Sequence, residues 1–212
     1  MNKAITIYGT ITSPYVNRVV LACRRKKLPF NLWLPEGGSK SKEVLSINPL
    51  GKIPTIRDGK TVLFESSVIL EYLDSKHPKY RLISSNVDLA AKTRLISAMW
   101  ENYVVVMLIR LFVQAINKKP DKKIVSDSIE KLDAGLQAIE GFINPGPYAF
   151  GKSFTLADCY GVSGIIFLNR VSGMIDCGKL LKNKKNIKKY WSHIAKEPIV
   201  YDTIKDIKNF QR

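Results

Sequence analysis

The sequence is poor in the residues that build disulfide-linked or metal-stabilised folds. It contains only three cysteines, Cys23, Cys159 and Cys177, and two histidines, His77 and His193, all far apart. This spacing includes no Cys-x-x-Cys pair, which argues against a disulfide framework and against a zinc site. We therefore predict no metal. Because the first residues contain no apolar run typical of a signal peptide, we expect a cytoplasmic location.

Long apolar runs and acidic residues are also scarce. The most apolar helix candidate, residues 104–112, is too short to span a bilayer and contains Arg110, so we expect no membrane association. Only 18 acidic residues stand against 34 lysines and arginines, which gives a net charge of +16 and favours anionic partners. The two lysine clusters, residues 118–123 and 179–189, have few aromatic residues between them. Without such a stacking platform we do not expect nucleic acid as a partner.

Secondary-structure signals divide the chain into two parts. Residues 4–75 predict the order βαβαββα, with a hairpin turn at Asp58-Gly59. Residues 77–86 are polar with one proline, which is typical of a linker. From residue 87 onward the apolar spacing is almost entirely helical. We predict a mixed α/β domain over residues 1–76, a linker over 77–86 and an all-α domain over 87–212.

The stretch NPLGKIPTI places a proline in front of a predicted strand. Pro54 cannot donate to a strand ladder, and prolyl bonds are the ones that tolerate cis geometry, so Ile53–Pro54 is a candidate cis bond. A cis bond there would turn the N–H and C=O of Ile53 outward, where they could pair with an extended peptide. The alternative is an ordinary turn into the hairpin.

The segment FESS, which follows the hairpin, combines an acid with serines at the start of a helix. Free backbone N–H groups at a helix N-terminus attract a carboxylate, and Glu65 could hold an ammonium group. These groups suit the amino-acid end of a zwitterionic ligand. The alternative is that the serines only cap the helix.

These motifs together resemble the glutathione S-transferase family. NPLGKIP followed by FESSVILEYLD resembles the glutathione-binding part of the family, and SPYVNRVVLACRRKKLPF resembles the first helix of its serine-type (tau-, phi- or zeta-like) members. GKSFTLADC resembles the helical-domain motif, in which Thr155 and Asp158 form a capping box. The resemblance implies a thioredoxin-like domain followed by an all-α domain, and a homodimer.

The resemblance also implies where glutathione, as co-substrate and without a further cofactor, would bind. The backbone of Ile53, fixed by cis Pro54, would pair with the cysteinyl unit. Glu65 and Ser66 would hold the γ-glutamyl end. Lys40 and Lys52 would approach the glycyl carboxylate, with a solvated surface lysine as the alternative for Lys40.

Ser13 is the predicted catalytic residue. A hydroxyl that donates to the glutathione sulfur favours the thiolate, and the start of the first helix adds positive potential. A plain N-cap is the alternative for Ser13, and Tyr8 and Thr12 are rival hydroxyls. Because position 13 is not cysteine, the chemistry of cysteine-type members is disfavoured, and Cys23 fits the apolar spacing of a core residue.

The resemblance places a second, electrophilic substrate beside the first long helix of the second domain. Tyr103, Met107 and Leu111 have the spacing to share one face there, although such a stripe also suits core or dimer contacts. Ile11 and Phe210 are weaker candidates for the same pocket.

We predict a transferase that adds glutathione to electrophilic small molecules, as in detoxification. The alternative is a non-catalytic binding protein on the same fold, like the stringent starvation protein, with an anionic or protein partner. A zeta-type isomerase is a weaker option, because SPYVNR lacks the serine-cysteine run expected there.

Overall fold

The computed structural model describes residues 4–144 and 146–210. In chain order the elements are β1 Ile5–Tyr8, α1 Pro14–Arg25, β2 Phe30–Trp33, α2 Lys42–Ile47, β3 Thr55–Asp58, β4 Thr61–Phe64, α3 Ser66–Lys76, α4 Val87–Met99, α5 Val106–Ile116, α6 Lys122–Phe142, α7 Leu156–Ser172, α8 Lys185–Ile194 and α9 Pro198–Phe210. Residues 4–82 and 198–210 form one compact unit, and residues 83–197 form another.

The first unit is built around a four-stranded mixed sheet in the order β2-β1-β3-β4. β1 pairs in parallel with β2 and antiparallel with β3, while β3 and β4 form the predicted hairpin. Gly59 occupies the turn with φ +61°, a left-handed conformation that favours glycine. The element order confirms the predicted βαβαββα arrangement.

Helix α1 follows from two local signals. Pro14 stands at the first helical position, where its missing N–H costs little. Val16, Val19 and Cys23 recur at helical spacing, and all three side chains are fully buried. Helix α1 packs against α3 and α9, and it begins directly after Ser13.

The last helix, α9, belongs to the first unit, whereas the sequence predicts a helical domain that runs to the end of the chain. The physical reason is its packing on α1. Arg24 at the end of α1 donates hydrogen bonds to the hydroxyl of Thr203 and the carboxylate of Asp206 on α9. These contacts join residues that are about 180 positions apart in sequence.

The second unit is organised by a continuous helix in which α4 and α5 are joined by a π-helical segment, Trp100–Val105. Trp100 is fully buried, and Gly164 of α7 lies against its ring. A Cβ atom added at Gly164 would lie 2.7 Å from Cε3 of Trp100. The π-helical segment therefore depends on small residues in the helices that pack on it.

We expect Gly135→Ala to lower the free energy of unfolding by about 1–3 kcal/mol. A Cβ atom at Gly135, on α6, would lie 2.5 Å from the backbone carbonyl oxygen of Tyr103, so the two helices must separate. Gly141 is the matched control, since it lies on the same helix and a Cβ atom there meets nothing within 4 Å. Gly141→Ala should instead raise the unfolding free energy by about 0.5–1 kcal/mol. Chemical denaturation measures both, and equal effects would contradict the assignment.

Within the described ranges, one helical segment, Val87–Ile116, is long and apolar enough to cross a membrane by length and composition. It contains the apolar stretch 104–112, which by itself is too short to span a bilayer. Of its most apolar window, 44% is buried inside the structure, and Leu108 and Leu111 are fully buried. The core helix of a globular unit meets the same length and composition criteria.

Candidate active site

Ser13 occupies the N-cap position of α1 with an extended backbone, φ −76° and ψ 130°. Its N–H donates to the carbonyl of Thr10 at 3.1 Å, and its own carbonyl accepts from Asn17 at 2.8 Å. Among the described residues, its side chain makes no capping hydrogen bond. The half-buried Ser13 hydroxyl therefore lies at a helix N-terminus but does not cap the helix, which is the alternative role for Ser13.

The rival hydroxyls have other contacts. The Thr12 and Thr10 hydroxyl oxygens lie 3.1 Å apart and share a hydrogen bond. Tyr8 is 6% exposed in β1, and its ring centroid lies 5.6 Å from that of Trp33. Both side chains are therefore part of local packing, and the assignment of Ser13 stays a prediction that these contacts favour.

Cys23 lies in the core, as its apolar spacing predicts. Its side chain is fully buried, and burial raises the pKa of the Cys23 thiol to about 12. At neutral pH it is therefore a thiol rather than a nucleophilic thiolate. Across the part of the chain that the structure describes, no three His, Cys, Asp or Glu side chains gather as a metal site would require.

The loop before β3 contains the cis peptide bond between Ile53 and Pro54. Asn48, which is 1% exposed, organises this loop by donating to the carbonyl of Lys52 and to the hydroxyl of Thr55, both at 3.0 Å. Nothing in residues 4–144 or 146–210 is hydrogen-bonded to the N–H or C=O of Ile53. Those two groups are therefore available to pair with an extended peptide, as the sequence predicts.

The two predicted lysines flank this loop differently. The side chain of Lys40 lies against the loop, and its Nζ atom donates to the carbonyl of Leu50 at 3.0 Å. Gly51 makes this possible, because a Cβ atom there would lie 2.8 Å from Cδ of Lys40. Lys52 extends into solvent. The structure thus brings Lys40 to the loop that carries Lys52 and Ile53.

Glu65 is the N-cap of α3, and Ser66 is the first residue of that helix. Glu65 is exposed and has φ +67°, an uncommon conformation for a residue with a side chain. Such strain clusters at functional sites. Ser66 is 8% exposed, and no side chain of the described residues caps the helix. The first N–H groups of α3, beside Glu65 and Ser66, therefore have no capping side chain among the described residues.

Arg18 is a neighbour of the candidate site that the sequence does not reveal. It lies on α1, is 1% exposed, and its Nη1 atom donates to Oγ of Ser66 at 3.5 Å. Its guanidinium carbon lies 4.9 Å from the ring centroid of Tyr15. The only sequence signal is a charge next to the apolar residues Val19 and Val20, which does not indicate whether the side chain is buried.

The candidates for the second substrate are only partly brought together. Tyr103, which is exposed, and Met107 line a cavity of about 450 Å³ with Lys131 and Gly135 of α6. Leu111 is fully buried and does not reach this cavity, because its side chain packs into the core of the unit. Ile11 is also buried, while Phe210 is exposed at the end of α9.

Comparison with known proteins places this geometry in a class. Residues 7–81 match the family model described as the glutathione S-transferase N-terminal domain. The chain is 28% identical over 215 residues to glutathione S-transferase F13 of Arabidopsis thaliana, covering 92% of both chains. It is 33% identical over 167 residues to human glutathione S-transferase theta-2, covering 73% of this chain and 67% of the relative. It is also 28% identical to the stringent starvation protein A homolog of Haemophilus ducreyi, covering 74% of this chain and 72% of the relative.

Solved structures agree with these sequence matches. Poplar glutathione transferase F1 superposes with a TM-score of 0.84 at 23% identity, covering 98% of this chain and 99% of the other. Glutathione S-transferase I from Mais, in complex with an atrazine glutathione conjugate, superposes with a TM-score of 0.82 at 25% identity, covering 97% and 99%.

The fold is therefore a thioredoxin-like domain with a helical second part, as predicted. The chain belongs to the glutathione S-transferase family.

Proposed function

We propose that the protein is a glutathione S-transferase that activates the glutathione thiol for attack on an electrophilic small molecule. The observation that carries the proposal is the hydroxyl of Ser13, which lies at the start of α1 without a capping hydrogen bond among the described residues. A hydroxyl in that place is available to donate to a sulfur atom. The relatives named above, most of which are glutathione S-transferases, support this activity.

Each site residue has a distinct role in this proposal. The outward N–H and C=O of Ile53 pair with the cysteinyl backbone of glutathione. Ser66 and the free N–H groups of α3 bind the α-carboxylate of the γ-glutamyl unit, and Glu65 binds its ammonium group. Lys40 and Lys52 attract the glycyl carboxylate. Glutathione is a co-substrate, and no other cofactor is needed.

The chemistry is stabilisation of a thiolate. A free cysteine thiol has a pKa of about 8.5, and only the thiolate is a good nucleophile. The Ser13 hydroxyl donates to the sulfur, and the N-terminus of α1 adds positive potential, so both favour the charged form. The thiolate then forms a bond to an electrophilic carbon while the leaving group departs with its electron pair. No general base is required.

We expect Ser13→Ala to raise the pKa of the bound glutathione thiol by about one to two units and to lower the rate at pH 7 about tenfold for each unit. The pKa is measured from thiolate absorbance against pH in the protein–glutathione complex. Thr12→Val and Tyr8→Phe are matched controls that should leave the thiol pKa unchanged. A bound thiol with its free pKa in the wild-type protein would reject the assignment of Ser13.

We also infer that the protein acts as a homodimer in the cytoplasm and serves in detoxification. The alternative is a non-catalytic binding protein, which the match to the stringent starvation protein A homolog and the net charge of +16 favour. If the lysine clusters bind nucleic acid, the affinity should fall steeply with salt concentration. Failure to bind glutathione, together with such salt-dependent binding, would support the alternative over the transferase.

A further inference from the structure

Arg18 places a buried positive charge next to Ser66, the first residue of α3. Its side chain lies in the interface between α1 and α3, and the residue is only 1% exposed. Its Nη1 atom is 3.5 Å from Oγ of Ser66, at the long end of the hydrogen-bond range. The contact therefore combines a weak hydrogen bond with the attraction between a cation and the serine oxygen.

The direction of this contact decides what Ser66 can do. A guanidinium group has five N–H donors and no acceptor, so the Ser66 oxygen must be the acceptor. The single hydroxyl hydrogen of Ser66 is then left for an acceptor elsewhere. No hydrogen bond in the described ranges uses that hydrogen. Ser66 is thus oriented as a donor.

A carboxylate is the ligand group that matches this arrangement. It is an acceptor only and carries the charge opposite to that of Arg18. The N–H groups at the start of α3 lack a side-chain cap and favour an anion at the same place. Behind them, Arg18 is shielded from water, so its field is screened far less than that of a surface lysine.

We infer that Arg18 is a positioning residue for the α-carboxylate of the γ-glutamyl unit of glutathione, acting through Ser66. The guanidinium fixes the serine hydroxyl as a donor and adds positive potential to the helix N-terminus, without itself touching the ligand. This inference rests on the proposed function, because it concerns the same glutathione site.

The experiment compares two ligands. Glutathione carries the α-carboxylate, and 4-aminobutyryl-cysteinylglycine is the same tripeptide without it. We expect Arg18→Met to raise the dissociation constant for glutathione about tenfold. The dissociation constant for the analogue should change less than about twofold, because the analogue lacks the α-carboxylate that accepts from the Ser66 hydroxyl. Titration calorimetry measures both.

A double-mutant cycle tests whether Arg18 acts through Ser66. In the Ser66→Ala background, Arg18→Met should have a much smaller effect on glutathione binding than in the wild-type protein. Arg18→Lys should retain part of the affinity, because a lysine keeps the charge but not the planar donor group. Arg24→Met, on the same helix but directed at α9, is the control and should leave the ratio of the two dissociation constants unchanged.

The possible outcomes are distinct. If Arg18→Met weakens both ligands equally, or if the two substitutions are additive, Arg18 is only structural and the inference is rejected while the proposed function stands. If the wild-type protein binds glutathione and the analogue equally, the carboxylate site itself is rejected. If the wild-type protein binds neither, the proposed function fails and the inference fails with it.

Discussion

Asp158→Ala should lower the free energy of unfolding by at least about 3 kcal/mol, because several buried donors would lose their acceptor at once. Asp158 is fully buried near the start of α7. One carboxylate oxygen accepts from the N–H of Ala149 at 2.7 Å and from the hydroxyl of Tyr190 at 3.1 Å. The other accepts from the N–H and the hydroxyl of Thr155, at 2.7 and 3.0 Å.

These four hydrogen bonds connect three segments of the second unit. The Asp158 carboxylate joins the loop before α7, the first turn of α7 and helix α8. Alanine would leave the N–H of Ala149 and the hydroxyl of Tyr190 without this acceptor in a place that water does not reach. Each unsatisfied buried group costs about 1–3 kcal/mol.

Asp121 provides the matched control for Asp158. It is the exposed N-cap of α6 and accepts from the N–H groups of Lys123 and Ile124 at 2.8 and 3.1 Å. Asp121→Ala should cost only about 1 kcal/mol, since water can replace the lost acceptor. Denaturant titration of both variants measures the difference. Similar losses would mean that the buried network adds nothing beyond an ordinary cap.

Stability should also depend on pH through Asp158. Burial raises the pKa of this carboxyl from 3.8 to about 6, against the hydrogen bonds, which lower it. The folded state therefore binds a proton more tightly than the unfolded state. The stability that comes from this tighter proton binding is fully present below pH 3.8 and is lost as the pH rises through 6. The difference in unfolding free energy between the wild-type protein and Asp158→Ala should thus be larger at pH 4 than at pH 7.

Much of the first unit could be predicted because its signals are local. Pro14 at the first helical position, the Asp58-Gly59 turn and the apolar spacing of Val16 and Val19 each depend on a few neighbouring residues. The π-helical segment could not be predicted in this way. Its stretch has an ordinary helical composition, and the widened turn depends on Gly135 and on other small residues of distant helices that allow close packing.

The end of the chain shows the same limit. The sequence predicts only helical spacing there, whereas the structure has two separate helices, α8 over Lys185–Ile194 and α9 over Pro198–Phe210. Pro198 at the first helical position is a signal that could have revealed α9. Its place in the first unit could not have been found, because it depends on long-range contacts with Arg24.

The candidate site divides along the same line. Ser13, Ile53 and Glu65 could be selected because they lie in short local motifs that carry the family resemblance, and that resemblance implies their roles. Arg18 could not, because an arginine in an amphipathic helix is ordinarily solvated, and only the packing of α3 makes it a buried neighbour of Ser66. The prediction that Leu111 lines a substrate pocket is wrong, because helical spacing alone does not distinguish a pocket residue from a core residue.

The ion pair between Lys26 and Asp74 should also have a large effect on the free energy of unfolding. Removing one partner should destabilise the protein more than replacing both. Lys26 is the C-cap of α1, and its side chain is fully buried, with its Nζ atom 2.7 Å from Oδ1 of Asp74 on α3. The same Nζ atom donates to the carbonyl of His77 at 2.7 Å, and Oδ1 of Asp74 accepts from the N–H of Leu82 at 2.7 Å. The pair therefore anchors the chain that follows α3.

We expect Asp74→Ala to lower the free energy of unfolding by about 3–5 kcal/mol, because it leaves a buried ammonium group without its counter-ion. The double variant Lys26→Met with Asp74→Leu should lose less stability than Asp74→Ala alone, since two apolar side chains of similar volume leave no buried charge.

Asp176→Ala is the control, because its pair with Lys179 is exposed and should contribute no measurable stability. Chemical denaturation at low and high salt compares the variants. A double variant as unstable as the sum of its single variants would show that Lys26 and Asp74 are not coupled. An effect of Asp74→Ala that disappears in high salt would show that the pair is solvated rather than buried.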